Sequence, residues 1–170
     1  STGGLPKHEK LTSGIDDTDV KGEGATWVLA LRCGEACNIK GVEFLGMRLV
    51  QLNPKAPNKT TNCTGSALSF AVRPGKKEEL IEFVKTFIEE HSVSPETGIC
   101  YLEGLVMPES PYKKQIKTEL LTAEYANEEA ERIGVTFIDS ANAKGRIGSL
   151  GALLWANDGV EAAGLFGEEA

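Results

Sequence analysis

A segment with helical hydrophobic spacing lies between two segments with strand character, and this alternation leaves few folds open. In KKEELIEFVKTFIEEH the apolar side chains fall on one face of a helix, at Leu80, Ile81, Val84, Phe87 and Ile88. The strand candidates are residues 66–72 before this helix and residues 98–106 after it. Strands that alternate with helices are typical of α/β proteins, in which helices cover the faces of a sheet.

Further segments continue this alternation in both directions. Strands are predicted at residues 10–15, 42–52 and 135–138, and helices at residues 25–40, at residues 112–133 and after the glycine-bearing turn at residues 141–148. Gly46 is expected to bend or bulge its strand. The sequence therefore predicts one α/β domain over residues 1–170, with a single mixed sheet flanked by helices. We expect residues 1–10 to be a loose lead-in and residues 159–170 to be a flexible tail.

The composition is that of an ordinary globular domain, with 41% hydrophobic and 25% charged residues. No apolar run approaches the ~20 residues that span a bilayer, so we expect a cytoplasmic protein without a membrane partner. The formal net charge of −7 argues against tight nucleic-acid binding by this domain alone, because phosphate binding needs clustered Lys and Arg. The same charge suits a domain that gathers divalent cations around carboxylates.

The four cysteines are expected to be buried free thiols rather than a disulfide framework or a metal site. They are Cys33, Cys37, Cys63 and Cys100. Cys33 and Cys37 would share one face of a helix, but no C-x-x-C motif accompanies them and the two histidines are isolated.

The densest chemical signal is the acidic segment Gly14-Ile15-Asp16-Asp17-Thr18-Asp19, which follows a predicted strand. Three neighbouring carboxylates repel one another unless a cation lies between them, and hard oxygen ligands suit Mg²⁺. Carboxylates at the end of a strand also lie where open α/β sheets bind ligands. A solvated acidic turn explains the same residues about equally well, since Asp and Thr favour turns.

Three other segments have features of phosphate contacts. Two are glycine-bearing helix starts, Gly22-Glu23-Gly24 before Thr26 and Lys144-Gly145-Arg146, where free backbone N–H groups favour an anion. The third is the loop of residues 53–65, with polar side chains at Lys55, Lys59, Thr60 and Asn62. An ordinary helix cap or solvent loop explains each segment alone equally well or better. Together with the acidic segment they match the components of a phosphoryl-transfer site, in which metal ions and cationic side chains neutralise phosphate charge.

Taken in order, these residues resemble the kinase-like domain of agmatidine synthase, an archaeal enzyme family that attaches agmatine to a cytidine of an isoleucine tRNA at the expense of ATP. The matching residues are Gly14-Ile15-Asp16-Asp17-Thr18-Asp19, Thr26, Leu52-Asn53-Pro54, Pro57, Lys59-Thr60, Ser69-Phe70 and Lys144-Gly145-Arg146-Ile147-Gly148. The chain departs from the family's K-T-R-G-N-G loop, because Thr61 follows Lys59-Thr60 in place of arginine. The pattern is also similar to a methanogen-specific relative, the eleventh methanogenesis marker family.

The resemblance implies a role for each matching residue. It implies that Asp16, Asp17 and Asp19 are catalytic, hold Mg²⁺ and orient the phosphates of ATP. It implies that Thr26 is the helix-start threonine that becomes phosphorylated in the synthase. The residues that it implies for ATP binding are Thr18, Gly22, Gly24, Asn53, Lys55, Lys59, Thr60, Lys144, Gly145 and Arg146.

Two functions stay open on the sequence. The first is a Mg²⁺-dependent ATP-binding domain that catalyses phosphoryl transfer to a tRNA or small-molecule acceptor, related to tRNA cytidine modification. The second is a nucleotide-binding module without turnover in a methanogenesis-associated protein. An acidic interaction domain without a ligand is a third, simpler alternative.

Overall fold

One six-stranded sheet forms the centre of the part of the chain that the computed structural model describes, which is residues 8–18, 26–53, 64–140, 144–158 and 160–161. The strands are β1 Glu9–Asp16, β2 Val42–Gln51, β3 Thr64–Val72, β4 Gly98–Glu103, β5 Thr136–Phe137 and β6 Val160–Glu161. Their order in the sheet is β5-β4-β1-β3-β2-β6. β1 is an inner strand, and its residues from Leu11 to Ile15 are all buried.

Five helices in the described residues cover both faces of this sheet. They are α1 Thr26–Ala36, α2 Lys77–His91, α3 Tyr112–Thr118, α4 Ala123–Ile133 and α5 Gly145–Leu154. α1 and α2 pack on one face over a core that includes Phe70 and Leu80, and α3, α4 and α5 pack on the other face around Tyr112 and Leu150. None of these helices is long and apolar enough to cross a membrane. The predicted α/β domain, with one sheet flanked by helices, is confirmed.

The sheet differs from the prediction in strand direction, because every paired neighbour among the described strands is antiparallel and the sheet is not mixed. A helix connects β1 to β2, and these two strands run in the same direction. They are not neighbours, however, because β3 lies between them and pairs antiparallel with both. The order of strands depends on contacts between distant residues, which local patterns do not reveal.

The helix predicted at residues 112–133 is two helices instead. α3 ends at Thr118, and α4 begins after Thr122, whose hydroxyl accepts a hydrogen bond from the Tyr125 amide at 3.0 Å. Thr122 has an extended backbone, with φ −110° and ψ 156°, so a continuous helix does not pass through it. Both helices pack separately against α5, and this long-range packing decides where the chain bends.

The ends of the predicted elements shift by a few residues. Gly46 lies at a register shift between β2 and β3, as expected of a bulge. Glu9 and Lys10, predicted as lead-in, belong to β1. Within the predicted tail, Val160–Glu161 pairs with β2 as β6.

Helix α5 lies unusually close to the sheet because glycines replace side chains at their contact. A Cβ added at Gly14 of β1 would overlap the Ser149 carbonyl of α5, and one added at Gly98 of β4 would overlap the backbone of Gly145. From Gly148 to Leu154 every residue of α5 is buried. The hydroxyl of Tyr112 in α3 donates to the Ile147 carbonyl at 2.7 Å and holds the helix from its other side. The first turn of α5 is therefore held against the ends of β1 and β4.

We expect Gly14→Ala to destabilise the protein, because the new methyl group meets a backbone carbonyl in a packed core. Overpacking of this kind costs about 1–3 kcal/mol, which corresponds to a melting temperature lower by roughly 3–10 °C for a chain of this size. Thermal unfolding followed by circular dichroism measures the change. Glu128→Ala, on the exposed face of α4, is the control and should leave the melting temperature within about 2 °C. An unchanged melting temperature for Gly14→Ala would show that α5 does not lie this close to the sheet.

Candidate functional site

Those predicted site residues that the structure describes lie at one end of the sheet. Here β1 ends at Asp16 opposite Gly98, the first residue of β4, and β2 ends at Gln51 opposite Thr64, the first residue of β3. We call this region the aspartate end. The described site residues at this end of the sheet are Asp16, Asp17, Thr18, Thr26, Asn53, Lys144, Gly145 and the backbone of Arg146.

The Asp16 carboxylate lies against the first turn of α5. A Cβ added at Gly148 would overlap Asp16 Oδ2, so only glycine leaves room for this carboxylate. The Leu52 side chain also lies close to this position, 2.9 Å from the Cβ added at Gly148. The other carboxylate oxygen, Asp16 Oδ1, is buried from solvent. The positive end of a helix dipole favours a carboxylate at this position. α5 therefore limits where the carboxylate of one predicted metal ligand can lie.

Asp17 has a left-handed backbone with φ +63°, the only such non-glycine residue among those described. Asp adopts this conformation more easily than most residues, yet it still needs support from its surroundings. The support comes from the loop between α2 and β4, where the Thr97 hydroxyl donates to the Asp17 carbonyl at 3.0 Å and the Ser94 hydroxyl donates to Asp17 Oδ1 at 3.3 Å. No role for this loop was predicted from the sequence, although its residues S-V-S-P-E-T are rich in hydroxyl groups, as is typical of a polar turn.

Thr26 lies beside the acidic segment at the start of α1. Its Oγ1 accepts hydrogen bonds from the Thr18 amide at 3.3 Å and from the Thr18 hydroxyl at 3.2 Å. Both threonines are buried, with 2% of Thr18 and 4% of Thr26 exposed. The start of α1 therefore returns to within hydrogen-bonding distance of the residue that follows Asp17. In this state the Thr26 hydroxyl is covered by protein.

The start of α5 consists of Lys144, Gly145 and Arg146. Their backbone amides and the Arg146 side chain contact different neighbours. The amides of Lys144 and Gly145 donate to Glu96, at 3.1 Å to Oε1 and at 2.8 Å to the carbonyl. The Arg146 guanidinium donates to Asp139 Oδ2 at 2.9 Å and to Asn127 Oδ1 at 3.0 Å. The Asp139 side chain is 1% exposed and that of Arg146 16%, so this ion pair is largely buried. It joins α5 to the segment after β5, and the contact with Asn127 joins α5 to α4. The predicted role of Arg146 in ATP binding stays a prediction, and its guanidinium has a structural role in addition.

Asn53 and the remaining predicted residues follow the ends of the described segments. The Asn53 amide donates to the Glu119 carbonyl at 3.3 Å, which links the end of β2 to the end of α3. The other predicted residues lie outside the described residues, and these are Asp19, Gly22, Gly24, Lys55, Lys59 and Thr60. The described residues that flank them, Thr18, Thr26, Asn53 and Thr64, all lie at the aspartate end.

The carboxylates at the aspartate end are the metal ligands that the described part of the chain offers there. No group of three His, Cys, Asp or Glu side chains that could hold a metal ion occurs within the described residues. The thiols of Cys33 and Cys100 are free and buried, and burial raises the pKa of each to about 12. Both thiols are therefore protonated near neutral pH. The prediction of buried free thiols is confirmed for these two residues, and Cys37 is free and half-buried.

Residues 12–81, from β1 into α2, match the family model of the TiaS TCKD domain. Over this range the chain resembles a TiaS TCKD domain. The matched range includes Asp16, Asp17 and Thr26, so the family resemblance expected from these residues is confirmed. The TCKD domain relates the chain to the TiaS proteins of archaeal tRNA modification.

Three known proteins show the extent of this relationship. An uncharacterized protein of Methanocaldococcus jannaschii is 42% identical over 151 residues, covering 87% of this chain and 50% of that protein. The isoleucine-tRNA 2-agmatinylcytidine synthetase TiaS of Thermococcus sibiricus is 32% identical over 152 residues, covering 85% of this chain and 35% of that enzyme. A crystal structure of TiaS in complex with an isoleucine tRNA and ATP shares the fold, with a TM-score of 0.76, 24% identity and coverage of 86% of this chain and 36% of that chain. The chain thus spans half of the first relative and about a third of the TiaS proteins.

We expect Thr26→Val to destabilise the protein by about 1–3 kcal/mol, because the buried amide of Thr18 loses its acceptor. The corresponding fall in melting temperature is roughly 3–10 °C. Thr26→Ser keeps the oxygen and is the matched control, with an expected loss of less than half as much. Thermal unfolding of the three proteins checks this. Equal melting temperatures for Thr26→Val and Thr26→Ser would mean that the Thr18–Thr26 contact contributes nothing to stability.

Proposed function

We propose that this chain is a Mg²⁺-dependent ATP-binding domain that catalyses phosphoryl transfer in tRNA cytidine modification. The observation that carries the proposal is the convergence of Asp16, Asp17, Thr26 and the first turn of α5 at the aspartate end of a TiaS TCKD domain. A protein with the same fold has been solved with ATP and an isoleucine tRNA. The acceptor of the phosphoryl group, a tRNA or a small molecule, is part of the proposal.

The donor groups at the aspartate end fit a magnesium ion. Mg²⁺ in phosphoryl-transfer sites is held by one or two carboxylates together with substrate phosphates. Asp16 and Asp17 supply two carboxylates at the end of β1, and Asp19, one residue beyond Thr18 in sequence, is the third candidate. When bound, the ion would neutralise the charge of the transferred phosphate.

The other residues of the site bind and orient ATP in this proposal. The first turn of α5 directs the positive end of its dipole at the same region as Asp16, and helix starts of this kind favour phosphate. Lys55, Lys59 and Thr60, which follow β2, would contact the phosphates, with Gly22 and Gly24 allowing the close approach of the backbone before α1. Lys144 would add a further cation at the start of α5.

We expect ATP to bind only with a divalent cation, because the phosphates and the neighbouring aspartates repel each other without one. Two unit charges about 4 Å apart near a protein surface interact by about 4 kcal/mol, so removal of the cation should weaken binding by more than tenfold. Isothermal titration calorimetry with ATP, in Mg²⁺ and in EDTA, measures this. Asp17→Asn should weaken binding in Mg²⁺, whereas Glu128→Gln on the exposed face of α4 should not. Equal affinity for ATP in Mg²⁺ and in EDTA would show that the aspartates do not act as metal ligands in ATP binding.

We also expect Thr26 to accept phosphate from ATP slowly on the domain itself. The start of a helix stabilises a phosphothreonine through its dipole and free N–H groups. The reaction should be slow because the Thr26 hydroxyl is buried against Thr18 and the first turn of α1 must open. Incubation with ATP and Mg²⁺ followed by peptide mass spectrometry locates the phosphate, and Thr26→Val is the control without an acceptor. Phosphate on another residue, or none despite measured ATP binding, would contradict this role.

A nucleotide-binding module without turnover is the second candidate function. The observation that favours it is that two groups implied in the reaction already have structural partners. The Thr26 hydroxyl accepts from Thr18, and the Arg146 guanidinium is held by Asp139 and Asn127. ATP consumption under single-turnover conditions distinguishes the two candidates, because the module would bind ATP and leave it intact.

A further inference from the structure

The loop between α2 and β4 holds the acidic segment through its hydroxyl groups. We call residues 92–97 the serine loop. Its Val93 amide donates to the Thr18 carbonyl at 2.9 Å, and its Ser92 hydroxyl lies 3.2 Å from the same carbonyl. The Thr97 hydroxyl donates to the Asp17 carbonyl at 3.0 Å and lies 2.5 Å from the Ser92 hydroxyl. These contacts hold the backbone of the acidic segment at two successive carbonyls, those of Asp17 and Thr18.

Ser94 contacts the side chain of Asp17 rather than its backbone. Its hydroxyl accepts a hydrogen bond from the Glu96 amide at 3.0 Å and donates to Asp17 Oδ1 at 3.3 Å. A hydroxyl has one proton. Because the Glu96 amide occupies a lone pair of the Ser94 oxygen, the Ser94 proton is directed to the carboxylate. Ser94 thus contacts the Asp17 carboxylate directly, through Oδ1.

The serine loop is itself anchored to α5. Glu96 accepts from the amides of Lys144 and Gly145, through its side chain at 3.1 Å and its carbonyl at 2.8 Å. A Cβ added at Gly145 would overlap the Glu96 carbonyl, so the loop and the helix are in direct backbone contact. The position of Ser94 is therefore set by the helix that also contacts the Asp16 carboxylate.

We propose that Ser94 is a positioning residue, which acts through Asp17 to orient its carboxylate toward the divalent cation that accompanies ATP. The inference rests on the proposed function, since it assigns Ser94 an indirect role at the same cation site. Outer partners of metal-binding carboxylates fix the ligand orientation, and their loss typically weakens metal affinity by about 10–100-fold. The hydrogen bond from Ser94 supplies this contact for Asp17, while Thr97 holds its left-handed backbone and Ser92 lies against the next carbonyl, that of Thr18.

The test is a Mg²⁺ titration of ATP binding to the 170-residue chain and its variants. In Ser94→Ala we expect the Mg²⁺ concentration at half-maximal ATP binding to rise about tenfold, with the melting temperature of the metal-free protein within about 3 °C of wild type. Ser94→Thr keeps the hydroxyl and should restore the wild-type midpoint. Thr86→Ala is the matched control, because it removes a hydroxyl that donates to a carboxylate, that of Glu82, at 3.2 Å on the exposed side of α2.

The outcomes separate this inference from the proposed function. If the wild-type chain binds ATP without Mg²⁺ dependence, or does not bind it, the proposed function fails and this inference fails with it. If the wild type depends on Mg²⁺ and Ser94→Ala has the same midpoint, the role of Ser94 alone is overturned. A midpoint shift that Ser94→Thr does not restore, accompanied by a large fall in melting temperature, assigns Ser94 a structural role and also overturns the inference.

Discussion

The direct contact between the backbone of α5 and the backbones of β1 and β4 underlies the rest of this structure. Gly14 and Gly98 on the strands, with Gly145 and Gly148 on the helix, remove the side chains that normally separate a helix from a sheet. Dispersion contacts and burial then stabilise a helix that is enclosed along most of its length. The short separation also brings the first turn of α5 to the Asp16 carboxylate, where a side chain at position 148 would hold the two apart.

The acidic segment is consequently held from three directions. α5 contacts Asp16, the serine loop holds Asp17 and Thr18, and the start of α1 meets Thr18 through Thr26. The left-handed backbone of Asp17 has an energetic cost, and a solvated turn without these contacts would not need to adopt it. An isolated acidic turn, the simpler explanation of the sequence, does not account for three separate elements that converge on these residues.

The sequence predicted the elements whose signals are local. The spacing of Leu80, Val84 and Ile88 predicted α2, and all three residues are buried. The residues of the acidic segment and Thr26 predicted the family, because motif residues in a fixed order are readable without a structure. The serine loop was not predicted, since Ser94 lies 77 residues from Asp17 and its hydroxyl is ordinary for a turn. The ion pair of Arg146 with Asp139 was not predicted either. A cation at the start of a helix has the same local sequence pattern whether it binds phosphate or forms a buried ion pair.

By itself the sequence determined the α/β character of the chain, the main helices and strands, the family and the position of the acidic segment. These properties follow from hydrophobic periodicity and from residue order, which are local. Only the tertiary structure decided that the paired strands are antiparallel, that residues 112–133 form two helices, and which side chains surround the aspartates. Each of these depends on the order of strands in the sheet and on the backbone contact of α5, and the energies of such contacts arise between residues far apart in the chain.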